Sequence, residues 1–384
     1  MTSRSFLILL IFFSFILEAN AKEVLYLGRS PKGMMMGNAY TSYATDEYSL
    51  FYNPALIGRN DGVHFTPINP SIGVTNILDD LEKFDNFPSD AVGITDRILG
   101  VPIYLQTGIF PGLIMGPFAF SLFANQQTSM VLRNRVHPTL SIDYRLDRGF
   151  MFGGAFSIGS GAKASVWDGR SPKKKRKSSE GHRWSYGFAV KNINRQGLSG
   201  DFDLFGTDLI NLVNGGNVDS YDAFRRELGF AKGEAWGLDL GIDFIYSSGA
   251  FEFGSGLGIL DVGDTRFKKT EGEGDVPIQR MNATWGSHVL FDFGIGEIAF
   301  TLDVGPINQG LATGRMFHLG TEISLPIISV FAGYNEGYLG YGFEMDIWVF
   351  KVQAGLYSVE VSSDYKIEEG KRGIITFSLF DVSM

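Results

Sequence analysis

The 384-residue chain has no cysteine, so neither a disulfide framework nor a lipid-modified N-terminal Cys is available, and packing and backbone pairing must hold the fold. Histidine is sparse. His64, His137, His182, His288 and His318 are scattered without metal-ligand spacing, and no Ser/His/Asp set can be singled out. Nothing points to an enzyme or to a cofactor. A surplus of positive charge is missing too: 33 Lys and Arg stand against 42 Asp and Glu, a net charge of −9, which gives no support to a nucleic-acid partner. Past the first residues there is also no clean helical span. The uncharged stretch Leu99 to Ala124 is broken by Pro102, Pro111 and Pro117 with Gly108, Gly112 and Gly116, so strands and turns suit it better than a transmembrane helix.

What is present begins with MTSRSFLILLIFFSFILEANAKE. Arg4, the apolar run Phe6 to Leu17 and the small-x-small triplet Ala19-Asn20-Ala21 read as a signal peptide, residues 1–21, cut before Lys22. The mature protein is therefore expected to leave the cytoplasm. Its composition is rich in glycine (49) and phenylalanine (33), with 15 tyrosines, unlike an ordinary helical enzyme.

A two-residue period explains that composition. From Trp236 to Tyr246 the even positions are Trp, Leu, Leu, Ile, Phe and Tyr, while Gly237, Asp239, Gly241 and Asp243 stand opposite. Leu339 to Ile347 and Ile298 to Val304 repeat the pattern. Short turns at Tyr246 to Gly249, Gly294 to Gly296, Leu325 to Ile327 and Trp348-Val349-Phe350 alternate with longer polar loops such as Gly263 to Asn282 and Ser362 to Arg372. Dyad strands of about ten residues, joined alternately by tight turns and long loops, predict an all-β fold, an antiparallel transmembrane β-barrel of about 14 strands. The apolar face would meet lipid and the Gly/Asp/Glu face would line the lumen. A secreted β-sandwich or propeller is the alternative, but its strands should be shorter and its outer face should carry Lys, Thr and Ser.

The β pattern breaks at Ile77 to Phe84 and at Asp203 to Phe230, where short amphipathic helices are expected; residues 203–230 would form a helical loop insertion. Pro172 to Lys177 (PKKKRK) resembles a nuclear-import signal, but behind a signal peptide it reads as a solvated basic loop. Asn282-Ala283-Thr284 is a chance glycosylation pattern, and Gly254-Ser255-Gly256-Leu257-Gly258 sits within a strand pattern, where glycine admits close backbone approach. Counting strands back from the C-terminus places the basic loop and the insertion on opposite sides of the membrane. That requires one long tight-side connection, a further strand, or an incomplete crossing over Arg183 to Asn194.

One stretch ahead of the first strand, SLFYNPALIGR (Ser49 to Arg59), halts the chain at Asn53-Pro54. Asn53 can cap a short helix whose first turn takes Pro54, with the first strand beginning at Val63. Gly28 to Arg59 resembles the N-terminal signature of the FadL-like (OMPP1/FadL/TodX) family of outer-membrane long-chain fatty acid transporters, including its PorV-like relatives. The matching elements are Gly33, Gly37-Asn38-Ala39, Asp46 and Phe51-Tyr52-Asn53-Pro54-Ala55. Gly355 to Leu379 resembles the closing strand pair of the same group. Met34-Met35-Met36 departs from it, being bulkier than the usual small residues.

The resemblance implies that residues 22–61 form a hatch inside a barrel of residues 62–384, with Gly37, Asn38, Asp46, Phe51, Tyr52, Asn53, Pro54 and Ala55 as candidate hatch residues. It implies uptake of small hydrophobic molecules, such as long-chain fatty acids, across the outer membrane of a Gram-negative type of cell. Diffusion without chemistry would carry them, from an apolar pocket sideways into the membrane. Outer-membrane lipid and a hydrophobic ligand are the partners implied. The second reading is a non-transporting barrel that assists assembly or secretion, as PorV-like relatives do, and meets a protein partner through its extracellular loops. The ligand-binding residues are not legible.

Overall fold

A computed structural model describes residues 23–76, 91–160, 180–203, 228–347 and 350–383. Fourteen antiparallel strands among them close into a barrel. The first two are each broken: β1 comprises Val63–Thr66 and Ser71–Thr75, and β2 comprises Ile103–Ile109 and Gly112–Met115. There follow β3 (Phe118–Arg133), β4 (Thr139–Ser160), β5 (Gly181–Asp203), β6 (Ala231–Ser248) and β7 (Phe251–Leu260). The circle continues through β8 (Asn282–Asp292), β9 (Glu297–Val304), β10 (Phe317–Ser324), β11 (Ile328–Asn335), β12 (Tyr338–Ile347) and β13 (Phe350–Glu360). It ends with β14 (Glu369–Leu379, then Val382–Ser383), which pairs with β1 and closes the ring. No helix among the described residues is long and apolar enough to cross a membrane.

The dyad pattern sets the faces. Leu238, Leu240 and Ile242 of β6 and Tyr341 and Phe343 of β12 are exposed on the outside, whereas Asp239 and Asp243 are fully buried inside. Leu99 to Ala124 becomes strand and turn, interrupted at Phe110-Pro111 and at Gly116-Pro117, as its prolines require. Two expectations need correction. The strands β4 and β5, at 22 and 23 residues, are about twice what crossing requires and carry the wall beyond the bilayer. The loop expected over Ser362 to Arg372 is shorter, because β14 already pairs from Glu369.

Tight turns at 249–250, 293–296 and 325–327 mark the periplasmic end, and most connections at the outer end are longer, Glu336-Gly337 being the exception. Gly181 pairs with Ser247, next to the tight turn at Gly249. The connection 161–180 therefore leaves from the periplasmic end, while 204–230 leaves from the outer end. Alternation holds without a missing strand, and Arg183 to Asn194 belongs to a full crossing. The helices expected over Ile77 to Phe84 and within 203–230, and the basic PKKKRK run, lie outside the described residues.

The break shared by β1 and β2 has a particular closure. Val63–Thr66 pairs with Gly112–Met115, and Ser71–Val74 pairs with Leu105–Gly108, leaving a gap in the ladder between them. Asn69 fills it: its Oδ1 accepts from the Phe110 N–H at 2.7 Å and its Nδ2 donates to the Phe110 carbonyl at 2.9 Å. A carboxamide thus replaces one step of backbone pairing. Asn69→Ala is expected to cost about 1–3 kcal/mol by stranding both Phe110 groups, read as a lower temperature for the heat-dependent shift in gel mobility. An unchanged temperature would show that the seam closes without Asn69.

Candidate functional site

Residues 23–62 run inside the barrel, and nearly every residue from Leu27 to Arg59 is buried. The chain starts in the outer half of the lumen, where Glu23 pairs with Arg372 of β14 at 2.6 and 2.7 Å. It descends through the helix Pro31–Met35 and the 3-10 turns Ser49–Phe51 and Pro54–Arg59. Asn53 has extended backbone and caps the last turn, its Oδ1 accepting from the Ala55 N–H at 3.0 Å, with Pro54 at the first position. Asn53 Nδ2 also donates to the Ile242 carbonyl of the wall at 3.2 Å.

Glycine on the inner wall makes this approach close. A Cβ at Gly187 or Gly241 would strike the Asn53-Pro54-Ala55 turn, and one at Gly258 would strike the Tyr52 carbonyl. Two of the three methionines find the same complement. Met35 and Met36 are fully buried, the Met35 sulfur lying against Gly342 and Gly355 and the Met36 backbone against Gly320 and Gly333. Bulk on the inner segment is matched by its absence on the wall.

The remaining candidate residues are distributed along the same segment. Gly37 takes a left-handed φ of 66° against the backbone of Tyr334. Asn38 Oδ1 accepts from the Tyr52 hydroxyl at 3.2 Å. The Phe51 ring packs edge-on to Phe110 and Phe123, and Tyr52 edge-on to Tyr40. Arg59 makes a two-pronged pair with Asp243 of β6 at 2.7 and 2.6 Å.

Asp46 accepts from the Tyr40 hydroxyl at 2.8 Å and the Tyr48 N–H at 3.0 Å. Burial, and then the neighbouring Glu47 carboxylate, push its carboxyl up to about 6, against the pull of Tyr40, Lys32 and the Tyr48 N–H. In water a carboxyl of this type titrates near 3.9, at about two units lower. The docked segment therefore holds a proton that the free segment gives up, so docking is firmest below about pH 4, weakens up to about pH 6 and is level above. Protease cleavage within 23–62 should be slower at pH 5 than at pH 7, and Asp46→Asn should flatten that dependence. An identical slope in the variant would remove Asp46 as its source.

Between the start of the inner segment, Glu23 to Gly28, and the outer half of the wall lies a cavity of about 390 Å3, within the range of small-molecule sites. Of the eight candidate residues only Phe51 lines it, joined by Leu25, Leu27, Val131 and Met151 as apolar surface. Its charged lining is largely paired. Lys191 of β5 lies 2.7 Å from Asp239 and 2.9 Å from Asp261, and Arg145 lies 2.8 Å from Asp143. Outside the lining, Arg195 crosses to Asp147 at 2.6 and 2.8 Å and to the lining residue Gln279 at 2.8 Å, tying the loop before β8 to the wall. Sequence reasoning missed Lys191, Arg145 and Arg195. The available signal was charge at alternate positions of a strand whose other face is apolar. Among the described residues no carboxylate or histidine group has metal-binding geometry.

An even-stranded antiparallel barrel with an apolar outer band and a polar interior defines an outer-membrane protein. No family model and no curated protein matches the sequence. Among solved structures, the CymD monoaromatic hydrocarbon channel is similar over 92% of this chain and 98% of its own, at 12% identity and a TM-score of 0.50. The toluene transporter TodX of Pseudomonas putida (13% identity, 93% and 99% covered, TM-score 0.42) and TbuX of Ralstonia pickettii (12%, 92% and 99%, 0.44) also match. Within the outer-membrane class, the chain has the FadL-like barrel fold.

Proposed function

We propose that the barrel admits small hydrophobic molecules across the outer membrane by passive diffusion, with long-chain fatty acids as one class, and that residues 22–61 are its hatch. The observation that carries this reading is the lumen cavity. It lies in the outer half of the lumen beside the start of the inner segment, and its charges are largely neutralised in pairs, so an apolar molecule meets little free charge there. The three solved channels are named for hydrocarbon or toluene transport, which agrees with this class of ligand. Residues 1–21 act as the export signal, and the mature chain begins near Lys22.

Sideways release has a physical basis in the β1–β2 seam. Asn69 Nδ2 donates not only to Phe110 but also to Glu47 Oε1 of the inner segment at 2.8 Å. Movement of the hatch withdraws Glu47 and leaves the seam on its remaining bonds. A barrel serving only as an assembly partner has no need of such a cavity. The test replaces Asn53-Pro54 with Gly-Gly and measures conductance in a planar bilayer with fluorescent fatty-acid binding on the same preparations. Higher conductance to small polar solutes and weaker binding are expected of a folded variant. Unchanged conductance and binding would reject the hatch, and absence of binding in the unaltered protein would reject the transport reading.

A further inference from the structure

On the outside of the barrel, where β12, β13, β14 and β1 run side by side, a depression of about 400 Å3 interrupts the band of projecting apolar side chains. Register explains it. One row of outward residues at equal height is Tyr341, Leu356, Gly373 and Val74, and the next is Phe343, Ala354, Ile375 and Ile72. Each row carries one small residue. Because Ala354 and Gly373 sit on neighbouring strands, the two missing volumes merge into one trough between an aromatic ridge on β12 and an aliphatic ridge on β1.

We propose that this trough binds one acyl chain of a membrane lipid. It lies midway along β12, β13 and β14, where an outward surface meets hydrocarbon rather than water. None of the residues lining it is charged. An unfilled hollow at this depth would leave its lining without dispersion partners on one side, and a flexible chain is the only surrounding material that fits. The wall behind is also apolar: the inward Gly342–Gly355 pair is backed by the Met35 sulfur, so the trough has no aqueous floor.

The full-length mature protein, reconstituted in phosphatidylethanolamine vesicles containing a phospholipid with a diazirine midway along one acyl chain, would be irradiated and its adducts mapped by peptide mass spectrometry. Adducts should concentrate on 341–343, 354–356 and 373–375. They should fall several-fold in Gly373→Leu and, independently, in Ala354→Leu, with heat-dependent gel mobility confirming that the barrels are folded. The first variant fits the space, since a Cβ at Gly373 would lie 3.4 Å from Leu356 Cδ2, an ordinary contact. Adducts spread evenly around the barrel, or unchanged in both filled variants, would overturn the site. Displacement of the phospholipid adducts by added oleate would overturn it in another way, by showing that the trough holds a free ligand instead. Retention of the adducts under oleate supports it.

Discussion

In an Asp243→Ala variant the barrel will still close, but docking of the inner segment will weaken by about 3–5 kcal/mol, the cost of leaving one partner of a buried ion pair alone. Arg59 and Asp243 have side chains only 2% and 0% exposed, so water cannot take the place of the lost carboxylate. The barrel itself survives because its strand ladder closes without this pair. The result will be seen as new protease cleavage between residues 23 and 62 and as raised single-channel conductance. Replacing both partners, as Arg59→Met with Asp243→Leu, should recover much of the protection, since the stranded charge is then gone. Full protection in Asp243→Ala would mean that other contacts, such as Arg183 Nη1 donating to the Gly58 carbonyl at 2.8 Å, are enough.

Neighbouring residues on β6 should fail in opposite ways. Leu240 is exposed on the outer face, so Leu240→Arg places a charge in hydrocarbon and should cost about 2–4 kcal/mol of barrel stability near the bilayer midplane. Gly241, one residue on, has Asn53 Oδ1 and the Ala55 N–H where a side chain would stand. Gly241→Leu should leave the barrel folded and expel the Asn53-Pro54-Ala55 turn, raising conductance. Heat-dependent gel mobility reads the first effect and bilayer recording the second. If both variants lose the barrel equally, the two faces have been assigned wrongly.

The wall was legible because a strand writes its own alternation into adjacent residues. Trp236 to Tyr246 alone separates Leu240 from Gly241, and most turn lengths tell the two ends of the barrel apart, the long connection 161–180 and the tight Glu336-Gly337 turn being exceptions. The stop at Asn53-Pro54 was equally local, since a cap and its proline are neighbours. Strand length was less legible: the alternation of β4 runs on unbroken through Leu140, Ile142, Tyr144 and Leu146, of which Ile142 and Tyr144 pack with Leu228 and Phe230, so no local signal marks where the wall leaves the bilayer.

The sequence by itself determined the class of fold, the lipid-facing and inward faces, and the place where the chain turns before its first strand. Only the tertiary structure decided what fills the lumen and where a cavity remains. Arg372 meets Glu23 across 349 residues, and Lys32 meets Glu322 across 290. Closure of the ring brings these groups together, and no local period records which inward residue will face which. The Met34-Met35-Met36 run shows the same division, because the bulk of Met35 is accommodated by glycines at 342 and 355 and the close approach of the Met36 backbone by glycines at 320 and 333, on strands that closure carries to its side.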